Sequence, residues 1–410
     1  MTGKLQSRNT SLFFYHRETE TTENFFGIYQ YFFFLSILFL FTVSAYSQDT
    51  LYARSVIKKL TSKECFGRGY LNNGLDVAAK YISSELKRLE AKPLFSSGYY
   101  QWFDFNVNTF PKNILVKINN KLLKPGEDYI ISPESNSLKG KFTMTKKDSV
   151  TYFSESGSLP LVLSIKKKLT FSVADYAADF CRVELLDKKE FKDIKSAEVN
   201  IQNKILVKYI NKNICAYLDG KQNNDTMIVY SAHYDHLGGL GKKTYFPGAN
   251  DNASGVSVLL NLIQHYKKYP PKYKTVFIFF AGEEAGLIGS KYFVESKVMD
   301  LKKIKFLVNL DLLGTGDEGI MVTNGYLHEK EFNILNEINK EKNLVKEIKR
   351  RGKAQNSDHY WFTEAGVPAF FIYTLGGIKA YHDIYDIEKT LPLTDYVDVV
   401  KLITQFVEKL

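Results

Sequence analysis

Cysteine is scarce in this 410-residue chain: there are three, Cys65, Cys181 and Cys215, with irregular spacing and no Cys-x-x-Cys pair. That excludes a cysteine-based zinc site, and an odd count leaves at least one thiol without an intrachain partner. Cys215 lies in the apolar run 214–218 and reads as a small buried hydrophobe; a Cys65–Cys181 disulfide is the pairing left open. Repeats of fixed period, heptads and low-complexity tracts are also missing, which excludes solenoids, coiled coils and fibrous folds. The net charge is +10, yet the lysines are scattered in ones and twos, and the longest run, 166–168, is three residues. No RNA-binding aromatic motif or zinc-finger spacing accompanies them. The balance therefore reads as a lysine-rich solvated surface, and no nucleic-acid partner is expected.

What is present fits an ordinary globular protein, with 44% hydrophobic and 24% charged residues. The length allows one large domain or two modest ones. Residues 25–46 are dominated by Phe, Leu, Ile and Tyr and end in Ser44-Ala-Tyr-Ser47. Ala45 and Ser47 make a signal-peptidase site after Ser47, so residues 1–47 are expected to be a signal peptide. The alternative is an uncleaved anchor, because the run is about 20 residues long and so able to span a bilayer. Either reading exports the remainder, to the periplasm or beyond, with a membrane partner only if the segment stays uncleaved.

Periodicity divides the rest. Residues 75–89 carry Ala78, Ile82, Leu86 and Leu89 on one helical face. Residues 110–205 hold short β-like runs such as 114–118 and 159–165, separated by turn signals at 124–127 and 156–158, and read as an inserted β-rich subdomain. It would divide the main domain into 48–109 and 206–410. From about 205 the pattern is strand–loop–helix. Strands are expected at 214–218, 226–232, 274–281, 305–310 and 367–373, and helices at 253–266, from 289 to 295, and over 394–410. Residues 274–281 are nearly all apolar, as in a strand buried on both faces. The fold class expected is α/β, with a mixed, mainly parallel sheet between helices and functional groups beyond the carboxyl ends of its strands.

Five segments carry chemistry, most of them at strand ends. His233 and Asp235 lie in Ser231-Ala-His-Tyr-Asp-His-Leu-Gly-Gly239, and Asp251 in Gly248-Ala-Asn-Asp-Asn-Ala-Ser-Gly255. Glu283 and Glu284 lie in Ala281-Gly-Glu-Glu-Ala-Gly286, Asp311 in Asn309-Leu-Asp-Leu-Leu-Gly314, and His382 in Tyr381-His-Asp-Ile-Tyr-Asp386. Zinc takes imidazole nitrogens and carboxylate oxygens. Two histidines and three carboxylates would serve two metals if one carboxylate bridges. Adjacent glutamates past a strand diverge, so one can bind metal while the other reaches a water. Metal-assisted hydrolysis requires that division of labour.

These segments, in this order and with these gaps, resemble the co-catalytic zinc exopeptidases typified by bacterial leucine aminopeptidases. Their relatives include glutamate carboxypeptidase II, the transferrin receptor ectodomain and the glutaminyl cyclases. The resemblance runs from about Leu60 to the end and includes Phe66-Gly-Arg-Gly69 and Tyr100-Gln-Trp102; it is weakest over 110–205, where the family's protease-associated insert falls. It implies two Zn2+ ions, one bound by His233 and Asp311, the other by Glu284 and His382, with Asp251 bridging. Glu283 would be the general base toward a metal-bound water, and Asp235 would orient the imidazole of His233. Asp358, in an Asp-His segment that lines the substrate pocket in relatives, and Tyr381, beside a ligand, would contact a peptide or small amide substrate. His236, His359 and Asp383 read as structural. An aminopeptidase is the activity implied. The alternatives are a glutaminyl cyclase-like zinc transferase, another exopeptidase specificity, or a non-catalytic binding module on the same fold. Loss of ligands would mark the last, and none is lost.

Overall fold

Four runs of apolar residues too continuous to leave a face in water form the middle of the main sheet: Met227–His233, Lys274–Phe280, Ile304–Leu310 and Ala369–Thr374. The computed structural model describes residues 50–155, 159–222 and 224–410, so the expected leader and the turn at 156–158 lie outside the described residues. Met227–His233 pairs in parallel with Lys274–Phe280 on one side and Ile304–Leu310 on the other. Ile304–Leu310 pairs in parallel with Ala369–Thr374. Antiparallel neighbours close both flanks: Lys204–Leu218 beyond Lys274–Phe280, and Ile320–Thr323 beyond Ala369–Thr374. Among the described residues this mixed sheet has nine strands.

Alternation along each strand sends side chains to opposite faces, and both faces are covered. Phe277 and Phe279 join one core, beneath the helix at 50–60 and the helices Gly74–Arg88, Gly255–Lys268, Glu329–Lys342 and Tyr396–Lys409. Val276, Ile278 and Phe280 join another, against Phe293 and Phe362 of the short helices Ile288–Glu295 and His359–Glu364. Truncating a fully buried phenylalanine here to alanine would cost about 3–5 kcal/mol. Among the described residues no helix is long and apolar enough to cross a membrane.

One strand and one cysteine pairing differ from expectation. The strand read at 214–218 is the end of a fifteen-residue strand, Lys204–Leu218. Its first half carries Lys204 and Lys208 among exposed apolar residues such as Val207 and Ile210, and it pairs with Tyr100–Thr109 through a bulge between Leu206 and Tyr209. Three buried cysteines are free. Cys65 and Cys181 belong to different cores, so the pairing left open does not form.

Between Thr109 and Lys204 the described residues build a second, eight-stranded sheet. Val116, Ile131, Leu161, Leu163, Val183 and Val199 form its own core. One pair in it, Leu161–Lys166 with Cys181–Leu186, is parallel and therefore needs a crossover, supplied by residues 167–180. That crossover carries Leu169 and Phe171, both buried.

Candidate metal centre

The carboxyl ends of the parallel strands converge on one cleft. Met227–His233 ends on His233, Lys274–Phe280 runs on to Glu283 and Glu284, and Ile304–Leu310 is followed by Asp311. Asp251 arrives from the π-turn Ala249–Ser254 that precedes helix Gly255–Lys268, and a cis peptide joins it to Asn252. His382 comes from the loop after Ala369–Thr374.

The five expected ligands face one another. Asp251 divides its carboxylate: Oδ1 lies 3.3 Å from His233 Nε2, and Oδ2 lies 3.0 Å from His382 Nε2. A second carboxylate backs each imidazole, Asp311 Oδ2 at 3.4 Å from His233 Nε2 and Glu284 Oε2 at 3.2 Å from His382 Nε2. Oxygens of Glu283 and Glu284 and a His233 nitrogen all lie within 4.8 Å of one another.

Burial governs the electrostatics. It pushes Glu283 well above the usual carboxylate range, with Glu284, Asp358 and Asp311 adding repulsion. Burial and Asp251 together lift Glu284 to about 8. For Asp251 burial acts upward too, but hydrogen bonds from His233 and His382 outweigh it and hold the group well down. His382 is raised to about 9, because Glu284 and Asp251 overcome its desolvation. So many carboxylates in one dry cleft repel unless protons or a cation intervene. Asp311 Oδ1 is buried with no hydrogen-bond partner. An oxygen- and imidazole-rich donor set with a spare buried lone pair fits divalent zinc.

Supporting contacts refine the roles read from sequence. His233 Nδ1 is 3.1 Å from the backbone oxygen of Asp235 and 3.7 Å from its carboxylate. The carbonyl thus fixes the imidazole, while the carboxylate accepts the backbone N–H groups of Glu283 (3.2 Å) and Glu284 (3.3 Å). Ser357 Oγ donates to Asp311 Oδ2 at 3.1 Å.

The cleft holds a cavity of about 410 Å³ lined by Glu283, Leu287, Leu312, Phe371, Tyr373 and Tyr381, among others. Tyr381 stacks on His382 with ring centroids 4.0 Å apart. Asp358 does not line the cavity. It precedes helix His359–Glu364, is fully buried, and is pushed by burial to about 7. Gln355 and Asn356 reach the wall instead.

Residues 213–407 match the sequence model of Peptidase family M28. Aminopeptidase YwaD of Bacillus subtilis is 26% identical over 254 residues, 56% of this chain and 52% of that protein. A probable zinc metalloprotease of Pyrenophora tritici-repentis is 35% identical over 103 residues, 25% of this chain and 24% of that one. The chain spans about half the length of the Bacillus relative, and less of the fungal one. Two solved structures share the fold: BSAP, a zinc aminopeptidase from Bacillus subtilis (TM-score 0.64, 18% identity, 87% of this chain and 94% of that one), and an aminopeptidase from Aneurinibacillus sp. strain AM-1 (0.60, 18%, 87% and 93%).

Three residues around the cleft escaped the sequence reading. His236, read as structural, donates or accepts through Nδ1 at 2.6 Å from Glu284 Oε1, and its ring meets that of His382 edge-on. Asp386 accepts the backbone N–H of Asn250 (2.8 Å) and of Asp251 (3.0 Å), holding the turn that presents the bridging candidate. Arg68, fully buried, donates to the carbonyls of Leu60, Tyr234, Pro247, Gly248 and Asp251 at 2.6–3.2 Å. It thereby ties the N-terminal Phe66-Gly-Arg68 turn to both ligand-bearing loops. Gly248 completes this crossing at φ 62, where a Cβ would lie 2.1 Å from the Asp251 carbonyl and 2.4 Å from the His236 ring. Only the Gly-Arg-Gly motif hinted at any of this.

Proposed function

We propose that this chain is an exported zinc aminopeptidase that removes N-terminal residues from peptides. The observation that carries the reading is the divided carboxylate of Asp251, each oxygen facing a different histidine that a second carboxylate supports. His233 and Asp311 would hold one zinc, His382 and Glu284 the other, and Asp251 both. Bound there, zinc polarises the scissile carbonyl and makes water more acidic. Glu283 takes the proton of the attacking water and returns it to the leaving amine. Its raised affinity for protons, due to burial and acidic neighbours, suits that shuttle. Leu287, Leu312, Phe371 and Tyr373 offer an apolar wall to the substrate side chain, and Tyr381 stands at the mouth. Similarity to a Bacillus subtilis aminopeptidase and to a zinc aminopeptidase of known structure supports zinc and aminopeptidase chemistry. Export rests on the apolar run at 25–46 and the small residues after it.

The test is a panel of aminoacyl-anilides, each free and N-blocked, with and without chelator. Release from free-amine members only, abolished by chelation and restored by zinc, is expected. No release from any member would overturn the reading and direct the assay to peptides with N-terminal glutamine.

A further inference from the structure

His382 is clamped from outside the M28 segment. The Phe171 backbone N–H donates to the carbonyl of His382 at 2.9 Å, and the Phe171 carbonyl lies 3.1 Å from His382 Nδ1. A carbonyl oxygen can only accept, so Nδ1 carries a proton, and Nε2, facing Asp251 and Glu284, is the nitrogen left to release its proton and offer a lone pair to a metal. The tautomer a metal needs is therefore imposed by the crossover 167–180 of the second sheet.

Other contacts hold the same seam. Lys168 Nζ donates to the carbonyl of Lys379 at 2.9 Å and lies 3.4 Å from Asp383, bracketing the loop on both sides of His382. The Phe171 ring stacks on Phe246 with centroids 4.5 Å apart and planes 7° from parallel. The crossover is also pinned at its far end, where Asn108 N donates to Ala174 O at 2.8 Å. His382 itself sits at φ 54, in the left-handed region, a conformation that persists only when surroundings impose it. Ile384, two residues on, packs into the core of the second sheet.

The geometry points to the crossover 167–180, through Lys168 and Phe171, as a positioning device that sets the ring orientation and tautomer of His382. This rests on the zinc peptidase reading of the cleft. The second sheet is then a working part of the metal centre and does more than shape its rim. Partners of this kind, one step removed from the metal, alter affinity or activity by about 10–100-fold when lost.

The experiment uses the full chain with K168A/F171A, the milder F171L, and V199A as a control that destabilises the second core away from the seam. Zinc affinity is measured by competition with a chromophoric chelator, beside the melting midpoint of the zinc-free protein and separate kcat and KM values. All three variants are expected to melt earlier than the parent. K168A/F171A should lose at least tenfold in zinc affinity and F171L less, with kcat falling and KM little changed, while V199A keeps the parent affinity. Affinity of K168A/F171A within twofold of the parent, or an equal loss in V199A, overturns the inference and leaves the peptidase reading intact. A parent chain that takes up no zinc overturns both.

Discussion

Replacing Arg68 by methionine removes a buried guanidinium that reaches five backbone carbonyls, on the helix at 50–60, the loop after His233 and the turn at 247–251. Methionine matches the apolar stem but supplies no donor. A buried carbonyl deprived of its partner costs about 1 kcal/mol or more. With some relief from entering water, the five together predict a loss of roughly 3–5 kcal/mol. That is a large share of the 5–15 kcal/mol a folded domain typically commands. For a chain of this size the melting midpoint should fall by roughly 4–7 °C. Lysine keeps the charge and three donors, so R68K should lose about half as much. Thermal and urea unfolding of the zinc-free protein measures both. Because the carbonyls at Tyr234 and Asp251 flank ligand positions, zinc binding should weaken in step with stability. An R68M protein that melts within about 2 °C of the parent would refute the argument that this cation joins the two loops.

Glu283→Gln keeps the shape and removes the proposed base. It should retain the parent's zinc content while kcat falls by about 10²–10⁴-fold, read by metal analysis and the anilide assay. His359 tests acid sensitivity. Burial holds its imidazole down to about 4, so the unfolded chain gains a proton near pH 6.5 that the folded one refuses until about pH 4. Stability should therefore decline as pH falls through that window, by roughly 3 kcal/mol from this group. H359F should flatten that decline in urea midpoints of the zinc-free protein at pH 7 and pH 4.5. An unchanged slope would place the acid sensitivity elsewhere.

The strands that carry His233, Glu283 and Asp311 were legible because each is an apolar run of six or seven residues ending at a polar cluster, and a buried parallel strand has few other ways to look. Helix Glu329–Lys342 was not anticipated: its buried Phe332, Leu335 and Ile338 are thinly spread in a charged segment, and its apolar face is narrow. The first half of Lys204–Leu218 hid for another reason: Ile205, Val207 and Ile210 are exposed, and apolar residues left in water do not follow the buried-face pattern that marks a strand. The candidate ligands that converge on the cleft could be read because they cluster within short motifs. Arg68, His236 and Asp386 could not, because their partners lie 8–183, 48 and 135–136 residues away in the chain and local spacing says nothing of such pairings. Asp358 shows the converse: proximity in sequence to the cleft wall at 355–356 did not prevent its side chain from turning inward.

The ribbon formed by Tyr100–Thr109 and Lys204–Leu218 has one further consequence. Thr109 and Lys204 stand directly opposite in register, so the chain leaves for the second sheet and returns at one point. Paired residues in such a ladder are about 5 Å apart, a gap that a two-residue hairpin can close. Excision of everything between them is therefore geometrically simple, and the host sheet would keep its own hydrogen bonds. The shortened protein would nonetheless lack Phe171, and His382 would be left to choose its own tautomer and turn. The joint is built like a detachable module, yet the bonds of Phe171 and Lys168 across the seam tie that module to the loop that carries His382.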